Sequence, residues 1–471
     1  MRHRAGQGIR EEKPGAIHRT LCKKARPRVT HLMITITPVC RALIPVGSAA
    51  AALVSAPNYD EFQGDLEIWD LLQDNPMSVL RVTMAHCHVD SPETIGKGDS
   101  PAALARAGTN MKELVESDLT VEVRDILWVY EIEDPTRPGV RQIGLGGLAR
   151  TDEIRTDATP EGTIIRNEGV REPKARGRAD LIEATDAIIG MVNNGIDDTT
   201  GQFQSHLEAH ASSTPTDFNV VDHHGNRHRV WIVRDEQKIR DLQGLLAREP
   251  HAYVADGNHR SAAAAMLGYE YFLSVFFPAR TMGIRPYNRL VRTSAPSSAG
   301  AAPVPEDPPK PTMDDGLKPP MDEDVIAAIK EKFEVDTPPD SGPYQPTETH
   351  EIGLYTTDRG WLRLRPHQGT FDPDDAAESI DYGIVQENLF AHALRIAEAG
   401  DARLTFVGSN KDAAWLQREV DEGRSDYAVT LAAVTMEEFI EVCRQNRHMP
   451  PKSTWFEPKV RSGLVMALLD G

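Results

Sequence analysis

Residues 252–266 constrain this chain most. Ala252-Tyr253-Val254-Ala255 is a short apolar run of strand length, Asp256-Gly257-Asn258 is a polar turn, and Ser261-Ala262-Ala263-Ala264-Ala265-Met266 favours a helix. A strand that turns at once into a helix leaves the first helical N–H groups without internal partners. The helix dipole favours negative charge at that same place. Asp256, His259 and Arg260 add a carboxylate, a titratable imidazole and a guanidinium fork suited to phosphate. The same residues would also serve a capped helix with a solvated turn.

The surrounding pattern alternates. Phe62, Leu66, Trp69 and Leu72 predict a helix over 61–74, after a strand and loop in 34–60. A short strand is expected at Val79-Leu80-Arg81-Val82 and a helix over 102–116. Strands at 125–132 and 141–150 should pair around the turn Asp134-Pro135-Thr136-Arg137-Pro138-Gly139. A strand ending at Ile164-Ile165-Arg166, a helix over 179–191, a strand at 227–233 and a helix over 236–247 lead to the 252–266 unit. Strands at 270–277 and 283–291 follow. Beyond them, helices are expected at 324–333, 383–398 and 411–421, with strands at 351–355, 360–364, 403–407, 426–431 and 463–469. This alternation predicts an α/β fold with a mixed rather than strictly parallel sheet. Eight prolines in 294–320 interrupt it. The expected organisation is a basic, disordered extension over 1–32, a first α/β region over 33–293, a Pro-rich linker or insertion over 294–323, and a second α/β region over 324–471.

Charge narrows the partners. The 471 residues carry a net charge of -19, and nine Lys or Arg against two Glu in the first 32 leave the remainder more acidic still. Sequence-independent nucleic-acid binding needs a basic face, so nucleic acid is an unfavoured partner, while a local basic pocket for a small phosphate is compatible. No apolar run reaches the ~20 residues of a membrane span. Cys22, Cys40, Cys87 and Cys443 are widely spaced without a CxxC pair, which suits a reduced, cytoplasmic chain. The run Ala49–Ala56 mimics an export signal but lies late and is preceded by Pro38, Arg41 and Pro45. Met33 is the more economical start.

Other candidate positions are fewer. The tail segment from Met449 to Gly463 combines prolines with Lys452, Ser453, Thr454, Lys459 and Arg461, donors that suit an anion. Alternatively, it is a surface segment that packs Trp455 and Phe456. Glu168, just past an apolar strand, suits a general base or an ordinary ion pair, and Asp60 is similar. His86-Cys87-His88 resembles a metal set, but on a strand adjacent side chains point to opposite faces. Asp222-His223-His224-Gly225-Asn226 reads as a hairpin turn rather than a ligand set. No P-loop, GxSxG, HExxH or dinucleotide fingerprint is present.

Together these segments resemble one family. YVADGNHRSAAAAMLGYEYFLSVFFP with IRPYNRLV, the tail MPPKSTWFEPKVRSGLV, SAPNYD, and IIRNEGVREPKARGRADL resemble, in order, segments of the DUF1015 family. The resemblance runs from about Ile36 to Leu468, with 294–323 inserted. It implies a ParB/sulfiredoxin-like core, a superfamily that includes CTP-binding partition proteins, sulfiredoxin and free-serine kinases. By that resemblance Gly257, Asn258, His259 and Arg260, with Lys452, Ser453, Thr454 and Lys459, would cradle the phosphates of ATP or ADP with Mg. Asp256, Glu168 and His259 would be the catalytic residues. Two departures stand out: Asn258 replaces the first His of the usual turn, and Asn167 replaces the His before Glu168. Asn carries no proton at neutral pH, and with no thiol at 258 sulfiredoxin chemistry is disfavoured. Three functions follow: transfer of phosphate to a small hydroxyl metabolite, nucleotide binding in a regulator without turnover, or an inactive relative. Which nucleotide, which acceptor, which metal and which oligomeric state are left open.

Overall fold

The strand Thr120–Glu133 organises the larger sheet. Its run Ile126-Leu127-Trp128-Val129-Tyr130 is fully buried, as expected for a strand covered on both faces. It pairs antiparallel with Val39–Pro45 through its first half, and with Arg227–Val233 and Gln142–Arg150 through its second. Trp128 lies directly opposite Gly146, and a Cβ at Gly146 would fall 1.9 Å from the indole. That glycine exists to admit the ring. In the computed structural model, residues 33–293 and 321–469 are described. The expectations for 1–32 and 294–320 lie outside the described residues.

The larger sheet has twelve strands. Its main path runs Ile164–Arg166, Ala252–Asp256, Val192–Ile196, Tyr271–Pro278, Gln142–Arg150, Thr120–Glu133, Val39–Pro45, Met466–Leu468, Ala187–Ile188. Two pairs are parallel, Ile164–Arg166 with Ala252–Asp256 and Val192–Ile196 with Tyr271–Pro278. The sheet is therefore mixed, as the alternation predicts. Helices Glu172–Thr185 and Asn258–Met266 pack on each other against it. A second, six-stranded antiparallel sheet takes Asn288–Val291 from before residue 294 and Phe333–Asp336, Ile352–Thr356, Gly360–Pro366, Leu404–Val407 and Tyr427–Leu431 from after residue 320. The tail then returns. Trp455–Glu457 pairs with Gly283–Arg285, and Met466–Leu468 is inserted between Val39–Pro45 and Ala187–Ile188.

Several expectations are corrected. Leu80–Thr83 is a helical turn, not a strand, and Ser48–Val54 is a helix within the segment read as strand and loop. The helix expected over 179–191 covers Glu172–Thr185 and stops at Asp186 in the left-handed region. The strand expected over 283–291 is two strands in two sheets, parted by Pro286. The segment 383–398 contains a π-helix, Val385–Ala393. His86-Cys87-His88 sits on a 3-10 turn rather than a strand. His86 Nε2 lies 3.3 Å from Asp65 while His88 Nδ1 meets Asn110 at 3.1 Å, so the triplet shares no ligand position. Among the described residues Cys87 and Cys443 are buried free thiols and Cys40 is disulfide-bonded. No described helix is long and apolar enough to cross a membrane.

Candidate active site

Two strands decide where the candidate site lies. Ile164–Arg166 and Ala252–Asp256 are adjacent and parallel, with Ile164 beside Ala252 and Arg166 beside Val254. Parallel neighbours end on the same side of a sheet, so Asn167-Glu168 and Asp256-Gly257 emerge together. That rim is where open α/β sheets bind ligands. The tail docks on it as well. Met449 bridges to Glu168, its N–H donates to the Asn167 carbonyl at 2.9 Å, and the Lys452 N–H donates to Glu168 Oε1 at 3.1 Å.

The turn has the conformation that its sequence suggests. Gly257 has φ 107°, and a Cβ there would stand 3.1–3.3 Å from Arg260 Nε and from Val192. Only glycine takes this corner without strain. Helix Asn258–Met266 starts immediately after it. Asn258 Nδ2 donates to Asn167 Oδ1 at 2.8 Å, and Asn167 Nδ2 donates to Thr454 Oγ1 at 3.4 Å. Asn167 and Asn258 are therefore bonded to each other. Asn258 Oδ1 is buried with no hydrogen-bond partner among the described residues.

A cavity of about 60 Å³ opens here. Every predicted site residue lines it except Ser453, whose hydroxyl turns inward to donate to the Pro450 carbonyl at 2.6 Å. Arg461, the remaining tail cation, is also directed elsewhere, to Ser55. Arg260 holds Asp256 at 2.8 Å and the Met191 carbonyl at 2.5 Å. Lys459 Nζ stands 3.9 Å from Asp256 and 4.4 Å from the centre of the Trp455 ring. His259 Nε2 accepts the Arg171 N–H at 3.2 Å. Burial, then the charges of Lys174, Lys452, Arg171 and Arg178, push the His259 imidazole down to about 4. It is neutral at pH 7, and with Nε2 occupied its proton sits on Nδ1. Burial raises the Glu168 carboxyl above its usual range against the pull of Lys452.

Four residues escaped the sequence reading of this site. Tyr59, Lys174 and Arg178 line the cavity, with the Arg178 guanidinium 4.2 Å above the Tyr59 ring. Lys174 and Arg178 are one helical turn apart, a basic i, i+4 pair shortly after Glu168 that could have been read as one face. Arg289 is buried beneath the tail, its Nη2 donating to the Pro451 and Lys452 carbonyls at 3.1 Å each. Nothing in its local sequence marks that role. The side chain of Asp60 lies outside the description.

The family model described as protein of unknown function (DUF1015) matches residues 36–302, more than half of the chain. This chain belongs to the DUF1015 family. The matched segment carries Glu168 and the Asp256–Arg260 turn and stops before the tail. No curated protein matches this DUF1015 chain. Solved structures similar to it include a free serine kinase in complex with AMP, at 13% identity over 66% of this chain and 86% of that one, with a TM-score of 0.33. Others are a conserved hypothetical protein from Pyrococcus furiosus (12%, 66% and 90%, TM-score 0.33) and C-terminally truncated SbnI from Staphylococcus aureus (12%, 66% and 82%, TM-score 0.33). At these values the likeness assigns neither ligand nor activity to this DUF1015 protein.

Proposed function

We propose that this protein binds the phosphates of a nucleotide at the Asp256–Arg260 turn and transfers a phosphoryl group to a small hydroxyl metabolite. The observation that carries the reading is the convergence, in one cavity, of a helix N-terminus, five cations (Lys174, Arg178, Arg260, Lys452, Lys459) and two carboxylates. Phosphoryl transfer asks a protein chiefly for positioning, charge stabilisation and a base on the attacking hydroxyl, and this set supplies all three. The cationic side chains and the first N–H groups of helix Asn258–Met266 are donors that fit a phosphate group. ATP or ADP would be the donor: its terminal phosphoryl group would pass to the hydroxyl oxygen, and ADP or AMP would leave. Mg is commonly held by one or two carboxylates and the phosphates themselves, and Asp256 would be the carboxylate that holds it here.

In this reading Lys452, Lys459 and the first N–H groups of helix Asn258–Met266 hold phosphate oxygens. His259 donates from Nδ1. Glu168, with its raised proton affinity, takes the proton of the acceptor hydroxyl. Asp256, between Arg260 and Lys459, keeps both cations in place. About 60 Å³ suits a phosphate end rather than a whole nucleotide. The remainder would lie toward the adjoining apolar cavity, which shares Tyr59, Arg178 and Arg260 as walls.

One observation favours a second reading, nucleotide binding without turnover: the Asn167–Asn258 pair places amides, which relay no proton, at the centre of the site. Phosphorus NMR of the chain with Mg²⁺, ATP or ADP and a pool of hydroxyl metabolites separates the two. A new phosphomonoester signal that Asp256→Ala abolishes supports the transferase. Nucleotide shifts without a new product support the binding protein, and unchanged nucleotide signals overturn both.

A further inference from the structure

A second cleft, about 750 Å³, shares Lys459 with the first as a lining residue. One of its walls holds a donor set that the phosphate reading does not use. Asp222 pins the turn between strands Phe218–Val221 and Arg227–Val233. Its Oδ1 accepts the N–H groups of His224 and Asn226, each at 2.9 Å, and its Oδ2 accepts Asn226 Nδ2 at 3.0 Å and His228 Nε2 at 3.1 Å. This turn projects the consecutive imidazoles of His223 and His224 side by side, ring centres 3.8 Å apart. Neither imidazole hydrogen-bonds to another described residue. Facing them is Glu61, from a segment remote in sequence. Its Oε1 accepts the Asn58 N–H at 2.7 Å, and Asn58 is itself anchored to the Val460 carbonyl and to Ser462. One ligand atom from each of Glu61, His223 and His224 lies within 4.8 Å of the other two.

We propose that Glu61, His223 and His224 bind a divalent first-row transition cation, with its remaining coordination positions open to the 750 Å³ cleft. Two imidazole nitrogens and one carboxylate oxygen are the borderline donor set that zinc and its neighbours select over magnesium or calcium. Three protein ligands instead of four leave room for water or a cleft-bound oxygen donor. Both halves of the site are held before metal arrives, one by Asp222 and one by Asn58, so binding costs little ordering of the chain. The inference does not rest on the phosphotransferase reading.

A second cluster, Asp65, His86 and Cys87, offers a competing position for the same ions, and it contains a thiol. Cobalt(II) tells the two apart, because thiolate ligation adds an intense sulfur-to-metal charge-transfer band that nitrogen and oxygen ligands lack. The experiment is a titration of the untagged, chelator-treated full chain with cobalt chloride, followed by visible absorption and equilibrium dialysis. The expected result is one tightly bound cobalt with ligand-field bands and no thiolate band. Affinity should fall at least ~10-fold in His223→Gln and in His224→Gln, while the circular dichroism of each variant stays that of the parent and Cys87→Ser binds normally. Absence of bound cobalt, binding unchanged in both histidine variants, or a thiolate band removed by Cys87→Ser would each overturn the proposal.

Discussion

Asp256 and Glu168 are both carboxylates at strand ends, yet their surroundings differ. Asp256 is flanked by Arg260 and Lys459, whereas Glu168 receives a backbone N–H and is pushed toward its protonated form by burial. Glu168→Gln keeps an acceptor for the Lys452 N–H, so it should fold. If Glu168 is the base, turnover should drop about 100-fold or more with nucleotide affinity little changed, as measured by product NMR beside calorimetric binding. His259 gives a pH signature. Its proton affinity is lower in the folded chain (about 4) than the ordinary 6.5, so between these values the unfolded chain binds more protons. Its contribution to stability is complete above about 6.5 and is lost as pH falls toward 4. His259→Gln should flatten the fall in melting temperature across that window, and an unchanged profile would refute the assignment. Residue type drew attention to the Asp256–Arg260 turn, but the same residues suit a capped helix, and only the family resemblance tied Glu168 and the tail to it. Residue type failed at Ser453, where a hydroxyl is equally at home facing its own backbone.

Elements were legible where local pattern and tertiary demand agree. Ala252–Met266 is strand, corner and helix by composition alone. Val192–Ile196 is different: Val-Asn-Asn-Gly-Ile has weak strand propensity, and it becomes a strand because two neighbours enclose it and Asn194 donates to Ser274 and Val275. Val79–Val82 misleads in the opposite direction, since a short apolar run looks the same in a buried helical turn. The convergence of Glu168 with the Gly257 corner was legible only as an expectation, because the parallel pairing that produces it joins strands almost ninety residues apart. At this scale the Trp128–Gly146 pair makes a sharp test. Gly146→Ala forces a methyl into the indole at a cross-strand position with buried neighbours on both sides. The expected cost is about 1–3 kcal/mol, read as a lower midpoint in urea, and Gly146→Ala with Trp128→Leu should recover part of it.

The chain closes on itself. The larger sheet is unfinished until Met466–Leu468 slides between Val39–Pro45 and Ala187–Ile188, and the candidate site is unfinished until Met449–Lys452 lies against Asn167 and Glu168. Arg461, buried in the returning tail, fastens it through Ser55, and its own N–H donates to the Tyr130 hydroxyl at 3.2 Å. A chain that ends at residue 293 therefore lacks an internal strand of its own sheet, and it carries Asn288–Val291 without either neighbour from the second sheet. Two apolar edges would be left in water, an arrangement that favours association over folding. Such a chain should show broad, non-cooperative melting and aggregation. The chain through residue 469 should unfold in one transition, because neither sheet is complete without strands supplied both from before residue 294 and from after residue 320. Two well-separated transitions in the longer chain, or a monomeric and cooperatively folded shorter one, would show instead that the returning tail is an ornament on an independent domain.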